Sequence, residues 1–468
     1  MRMTWMSWLM VAAPCALVGC GGDDPAPAGT GGEAGSDNDA GLEAEPEASP
    51  DTSPEVAAET TAPDGDAATG ACKEPPRKFW IYDLSVMPPE YKEIAASCQA
   101  YGDHSIIYVA DDIWGTTLKA DEIDKVQAAF EKATPADPAK GIYDIATGTF
   151  GKPTDVDSND RIILLYYEIQ GYAGYQFDGF IRKEDMVGGT KGNDAEILYL
   201  DGVRNPPSGE YMLGVASHEF EHMILLNNKP GEAGWLDETM AETSMIACGY
   251  YGDLKDWVQG DFAKNPTQSL TTAPPKFNYG AGFLFGGYLY ERFGSAFFTA
   301  LMAESSTSMA GIDKTLSAQG KTDTFKTLLP DWSLANFLDQ PALQDGRFGY
   351  KAFDVPAMTA TVAAVPAAEA TFTLEAYSSK YLLFTVTGAA GSTLDVKLSS
   401  TDFAALAFRW AAYPEGDKGA AQVGSFSMAS ADETLSVPAV GDTVNRVVIA
   451  AVDTGGGKPS FKASAAMK

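Results

Sequence analysis

Three histidines occur in the 468 residues, and two of them, His218 and His222, stand four positions apart with Glu219 between them. They lie in a segment, residues 209–227, whose apolar members Met212, Leu213, Val215, Ala216, Phe220, Met223, Ile224 and Leu226 suit a helix buried on most sides. Side chains four apart on a helix lie one above the other, so both imidazoles present to one point in space. Neutral imidazole nitrogens at about 2.0–2.1 Å are standard zinc ligands, and a carboxylate beside the first of them can take a proton from water activated by the ion. An exposed helix that happens to carry His and Glu is the alternative. It fits poorly with so apolar a segment, because buried unpaired carboxylates and imidazoles are costly. These residues therefore point to a zinc site at His218 and His222 with Glu219 as catalytic base.

A catalytic zinc takes a third protein ligand and leaves one position open. The run Asn227-Asn228-Lys229-Pro230-Gly231 stops the first helix, and residues 235–248 read as the next, carrying Glu238 and Glu242. Being four apart, the two carboxylates face the same side, so one can bind the ion while the other orients a ligand histidine. The residues alone leave open which does which.

The run His218-Glu219-Phe220-Glu221-His222 followed by Trp235-Leu236-Asp237-Glu238-Thr239-Met240-Ala241-Glu242 resembles the glutamate-zincin pattern, in which a HExxH helix precedes a helix that donates a Glu. The second segment is similar to the corresponding segments of zinc aminopeptidases and of hyicolysin-like endopeptidases. This resemblance to the hyicolysin-like metallopeptidases implies Glu238 as the third ligand and Glu242 as the acid that orients His218. Thermolysin spacing alone would select Glu242, but that choice leaves Ile246 where the orienting acid should stand. Two departures are visible: Thr239 stands where the pattern has Gly, and His222 and Glu238 are closer than in thermolysin. Phe277-Asn278-Tyr279-Gly280-Ala281-Gly282 resembles the Tyr-Gly segment of the same group and implies Tyr279 as the hydroxyl that stabilises the oxyanion. Such a donor is needed because zinc alone leaves part of that charge unpaired. A packed aromatic is the plain alternative in a chain with 20 tyrosines. Ala195-Glu196-Ile197-Leu198-Tyr199-Leu200-Asp201 resembles the strand bordering the cleft, along which a peptide would pair by β-augmentation; an ordinary sheet strand is the alternative.

The elements that must position these residues follow from periodicity. Residues 79–84, 105–109, 161–169 and 196–200 read as strands, and residues 90–100 and 120–132 as helices. From residue 209 to 334 the pattern is helical, with breaks at 227–234 and 266–275. Beyond about residue 358, short apolar strands such as 370–374, 381–386 and 446–452 alternate with Gly-rich turns. The expected architecture is an α+β zincin-like catalytic domain over residues 72–357, followed by an all-β sandwich over 358–468.

Arg2, the apolar stretch 8–18 and Leu17-Val18-Gly19-Cys20 form an export signal with a lipobox, so residues 1–20 read as a lipoprotein signal peptide with Cys20 lipidated. Residues 21–71 carry 13 acidic groups and no Lys or Arg, with hardly a large apolar side chain, and read as a disordered acidic linker. The whole chain has a net charge of −31, which excludes nucleic acid as a partner for want of a basic footprint. Cys72 and Cys98 flank the start of the folded region and are the first choice for a disulfide, leaving Cys248 a free thiol. Asp155-Val156-Asp157-Ser158-Asn159-Asp160 has the alternating oxygens of a calcium loop. An EF-hand needs Gly sixth and Glu twelfth, where Asp160 and Tyr166 stand, so an acidic turn is the better reading and Ca2+ the lesser one. His104 reads as a core or surface histidine. Together these features lead us to expect a lipid-anchored bacterial cell-envelope zinc endopeptidase acting on protein or peptide substrates. An aminopeptidase, or a surface binding protein with a vestigial peptidase fold, are the alternatives.

Overall fold

The computed structural model describes residues 72–86, 88–171, 176–252, 258–274 and 276–468. The export signal, Cys20 and the acidic linker lie outside the described residues. The chain begins with β1 (Arg77–Asp83), β2 (Glu90–Tyr101) and β3 (Ser105–Ala110), then α1 (Ala120–Glu131) and α2 (Ile142–Phe150). Next come β4 (Ile162–Tyr167), β5 (Gly179–Ile181), α3 (Lys183–Val187) and β6 (Ile197–Asp201). One six-stranded sheet results, in the order β1-β2-β3-β4-β6-β5. Its centre, β3, β4 and β6, is parallel and buried on both faces, which is why those strands are continuous apolar runs.

Two expectations change here. Residues 90–100 form strand β2 and not a helix: the less exposed Ile94, Ala96, Cys98 and Ala100 recur every second residue, and the strand is paired on both sides, with β1 and β3. The β6 strand is not an available edge, since it pairs with β4 on one side and β5 on the other, so its backbone groups are already spent. Among the described residues, the edge strand at that end is the three-residue β5. Cys72 and Cys98 form a disulfide, and Cys248 is a buried free thiol.

The helical part consists of α4 (Glu210–Asn228), α5 (Gly234–Cys248), α6 (Tyr279–Phe293), α7 (Ser295–Ala303), α8 (Ser308–Ala318) and α9 (Phe325–Leu338). Every residue of α4 from Met212 to Leu225 is buried, as is nearly all of α5. Phe220 of α4 packs on Phe130 and Tyr143, with ring centroids 5.5 and 5.6 Å away. His104 stacks on Tyr143 at 4.0 Å, in the ring packing and apart from the other two histidines. No helix among the described residues is long and apolar enough to cross a membrane.

After Met358 come nine strands, β7 (Thr361–Ala364), β8 (Ala367–Thr373), β9 (Ser379–Thr385), β10 (Ser392–Ser399), β11 (Leu406–Tyr413), β12 (Gln422–Ser427), β13 (Asp432–Val440), β14 (Arg446–Asp453) and β15 (Ser460–Met467). They form a four-stranded sheet, β13-β10-β15-β8, and a five-stranded one, β12-β11-β14-β9-β7. Strand β14 shows how they are used. Val447, Ile449 and Ala451 join a core shared with Val396, Val437 and Phe461 of the other sheet. Val448, Ala450 and Val452 point the opposite way, into the core of the helical part. A strand buried on both faces has no polar alternation to display.

Polar contacts seal that second face. Asp331 of α9, only 2% exposed, accepts from Arg409 of β11 at 2.5 Å and from Arg347. Tyr381 donates to the Ser333 carbonyl at 2.6 Å, and Lys418 to the Phe337 carbonyl at 2.6 Å. Removing one partner of a buried ion pair costs about 3–5 kcal/mol, and because both arginines retain some exposure the lower end applies. Asp331→Ala should therefore lower the unfolding free energy by about 3 kcal/mol in a urea titration. A loss below about 0.5 kcal/mol, the usual scatter of surface substitutions, would show that the triad does not hold the two parts together.

Candidate metal centre

The centre is built where α4 and α5 lie against each other. Ser217 and Ser244 bring their hydroxyls within 2.7 Å across the helix pair, and the Cys248 sulfur lies 3.3 Å from Ser217. Burial pushes the Cys248 thiol up to about 12, so it packs as a small apolar group. The turn between the helices is clamped by Lys229. Its ammonium meets the Glu232 carboxylate at 3.0 Å and donates to the Leu301 carbonyl at 2.7 Å. Glu232 in turn accepts the amides of Ala233 and Ser308 at 2.7 and 2.6 Å. The entry of α5, and with it the position of Glu238, is thereby tied to α8.

His218 Nε2 and His222 Nε2 stand 3.1 Å apart, and Glu238 Oε2 lies 3.5 and 3.6 Å from them. A tetrahedral site with bonds of about 2.0–2.2 Å has ligand-to-ligand edges of roughly 3.3–3.6 Å. The two edges to Glu238 fall in that range and the 3.1 Å edge between the imidazoles is slightly shorter, so the three atoms approximate one face of such a tetrahedron, and Glu238 Oε2 is a buried oxygen with no hydrogen-bond partner. The residues present fit a metal ion.

Each imidazole is held from behind. Asp237 Oδ1 lies 2.7 Å from His222 Nδ1, and Glu242 Oε1 3.2 Å from His218 Nδ1, the latter at ion-pair distance without good hydrogen-bond alignment. The electrostatics follow. Burial works against a charged His218 ring, but Glu238 and Glu242 outweigh it and lift the ring to about 10. Burial likewise opposes a charged His222 ring, and Asp237 and Glu238 raise it well above its ordinary value. Burial tends to raise Glu238, yet the two rings draw it down to about 2. Glu219 and Glu242 are raised, in both cases by burial first. Glu221, buried with neither oxygen bonded among the described residues, is raised well above the carboxylate range by the same cause.

The structure therefore brings together His218, His222, Glu238, Glu242 and Glu219. Tyr279, at the start of α6, joins them with its ring centroid 6.3 Å from that of His218. Its helix is opened by Asn278, whose side chain accepts the Ala281 amide at 2.9 Å. Two residues escaped the sequence reading. Asp237 had a signal, its place one residue before Glu238 on the same helix. Gly179 had none: it sits on β5, where an added Cβ would fall 2.7 Å from Val215 Cγ1 and 2.9 Å from Glu219 Cγ. The backbone of β5 thus passes directly over Glu219, an approach that needs glycine.

The departure at Thr239 also finds its reason. Its hydroxyl donates to the Trp235 carbonyl at 2.7 Å, and it packs on α6 opposite Gly282 and Gly286. A Cβ at Gly286 would meet the Thr243 hydroxyl at 2.2 Å and the Thr239 carbonyl at 2.9 Å. The bulk added on α5 is accommodated by glycines on α6.

No family model matches the chain. Over 171 residues it is 26% identical to the neutral metalloprotease ShpI of Staphylococcus hyicus, an alignment covering 33% of this chain and 36% of that protein. The chain therefore spans about a third of that relative's length, and the similarity supports a metallopeptidase relationship. Among solved structures, the pre-peptidase C-terminal domain of a collagenase from Bacillus anthracis is 9% identical, covering 24% of this chain and 99% of its own at a TM-score of 0.19. The periplasmic g-type lysozyme inhibitor PliG of Aeromonas hydrophila is 14% identical, covering 24% and 100% at a TM-score of 0.17. Likenesses at these scores carry no argument about this chain.

The tether on His222 is testable by metal content. Asp237→Asn keeps the shape of the side chain and withdraws its charge from Nδ1, so metal affinity should fall about 10–100-fold in competition with a chromophoric chelator. His222→Ala should lose stoichiometric binding altogether. An unchanged affinity in Asp237→Asn would remove the tether from the account.

Proposed function

We propose that this chain is a zinc-dependent endopeptidase of the hyicolysin-like glutamate-zincin type, exported and held at a bacterial envelope by a lipid on Cys20. The observation that carries the reading is the convergence of His218 Nε2, His222 Nε2 and Glu238 Oε2 within 3.1–3.6 Å of one another, with Glu219 next to His218 on the same helix. The partial similarity to a neutral metalloprotease supports it. Zinc fits a mixed nitrogen and carboxylate set of three with one further position. When bound there, the ion supplies Lewis acidity that polarises a carbonyl and acidifies water.

The chain's own residues do the rest. Glu219 takes the proton from the attacking water as its oxygen bonds to the scissile carbonyl carbon. It then passes that proton to the amide nitrogen as the C–N bond breaks, acting first as base and then as acid. Burial raises its carboxyl above the ordinary range, which brings it closer to the pKa at which both transfers are efficient. Tyr279, its ring beside that of His218, donates to the oxygen on which negative charge develops. Glu242 and Asp237 fix the orientation of the two imidazoles.

The substrate's extended backbone pairs with β5, the edge strand beside β6 among the described residues, and not with the internal β6. Pairing there sets the peptide one strand spacing, about 4.8 Å, from the β5 backbone that crosses Glu219 at Gly179.

Three measurements test this. Digestion of a mixed peptide pool, including amino-terminally blocked members, should yield internal cleavages that a zinc chelator abolishes. Glu219→Gln should reduce the rate about 10²–10⁴-fold with zinc content unchanged. Equal activity in Glu219→Gln, or cleavage confined to free amino termini, overturns the endopeptidase reading. Gly179→Ala drives a methyl against Glu219 and Val215, and should lower kcat by about tenfold or more while the chain still binds one metal ion. Unaltered kcat would place the substrate elsewhere.

A further inference from the structure

A second cluster of oxygen donors lies at the other end of β6. Asp155 and Asp157, in the loop before β4, and Glu196, immediately before β6, each place a carboxylate oxygen within 4.8 Å of the other two. The aspartates are exposed and Glu196 is 1% exposed. Glu196 Oε1 is satisfied by the Val156 amide and by the Thr154 hydroxyl at 3.3 Å. Glu196 Oε2 is buried and has no hydrogen-bond partner.

That orphaned oxygen separates this cluster from an ordinary acidic turn. A turn explains Asp155, whose Oδ1 accepts the amides of Asn159 and Asp160 at 3.0 and 3.2 Å, and Asp157, which accepts from the Asn159 side chain at 2.7 Å. It does not explain a carboxylate taken out of water with one oxygen unpaired and two like charges beside it. Arg77, which acts on Asp157 from a distance, gives one guanidinium nitrogen to the Asn193 carbonyl.

We propose that Asp155, Asp157 and Glu196 bind a calcium ion. All three donors are carboxylates, which selects a hard cation over a transition metal. The two exposed members leave room for water, and the donors come from a loop joined to a strand end, which suits the large and variable coordination sphere of calcium better than the strict octahedron of magnesium. The ion satisfies Glu196 Oε2 and cross-links the loop preceding β4 to the start of β6, where the Ile163 amide already bonds the Glu196 carbonyl at 2.7 Å. This inference stands apart from the peptidase reading, because none of its residues belongs to the imidazole centre.

Equilibrium dialysis of the whole chain against radioactive calcium, with zinc kept saturating, tests it. One calcium per chain is expected, with a dissociation constant of about 10⁻⁴–10⁻³ M. Glu196→Gln should weaken it about tenfold or more. Because a buried substitution can disturb folding, the double variant Asp155→Asn/Asp157→Asn, confined to exposed side chains, should do the same with zinc content unchanged. Failure of the wild-type chain to bind calcium up to about 10 mM, undiminished binding in the double variant, or displacement by an equal concentration of magnesium each overturns the assignment.

Discussion

The structure depends on keeping five carboxyl groups and two imidazoles together where two helices meet. Glu219, Glu221, Glu238, Glu242 and both histidines are almost wholly out of water, with Asp237 at the margin. Each uncompensated charge in such a place costs several kcal/mol. The electrostatics show how the cost is divided. Negative charge is concentrated on Glu238, drawn down to about 2 by the rings, while burial holds Glu219, Glu221 and Glu242 above their ordinary range. A donor set of this kind asks for concentrated positive charge at the point where His218, His222 and Glu238 converge. The clamp of Lys229 and Glu232 and the glycine-lined contact of α5 with α6 hold the helices where that point exists.

How much of this could be read from the chain depends on the distance over which each feature is encoded. The helix with His218 and His222 was legible because a four-residue repeat and an apolar setting lie within one segment. Glu238 and Glu242 required only the next helix. The strand β2 was misread because short runs of mixed polarity such as Glu90–Tyr101 satisfy neither period well, and its pairing with β1 and β3 decided the outcome. Tertiary partners override weak local preference in such segments. The place of Gly179 over Glu219, and of Glu196 beside Asp155 and Asp157, could not be read at all. Each joins residues some forty positions apart through the order of strands in a sheet, which no local pattern carries.

The strands beyond Met358 show the same limit from another side. Their apolar runs were legible as strands. What the runs concealed is that β14 serves two cores at once, with odd and even positions facing opposite ways and both apolar. A strand with one solvent face would have alternated with polar residues. The absence of alternation, taken together with Asp331, Arg409 and Tyr381, makes this sheet a wall of the helical core. The rigidity of α9 is in part borrowed from strands that follow it in the chain.

The exchange of β6 for β5 as the candidate substrate edge follows from the same geometry. A strand can pair with a peptide only if its backbone groups are free, and β6 has none to offer. Its depth is nonetheless what makes β5 useful. Flanked by β4 and packed over α4, β6 holds a short strand that could not stand alone, and the Asp201 amide donates to the Asp178 carbonyl at the entry of β5 at 2.9 Å. Glycine at the first position of β5 then lets that edge descend onto Glu219.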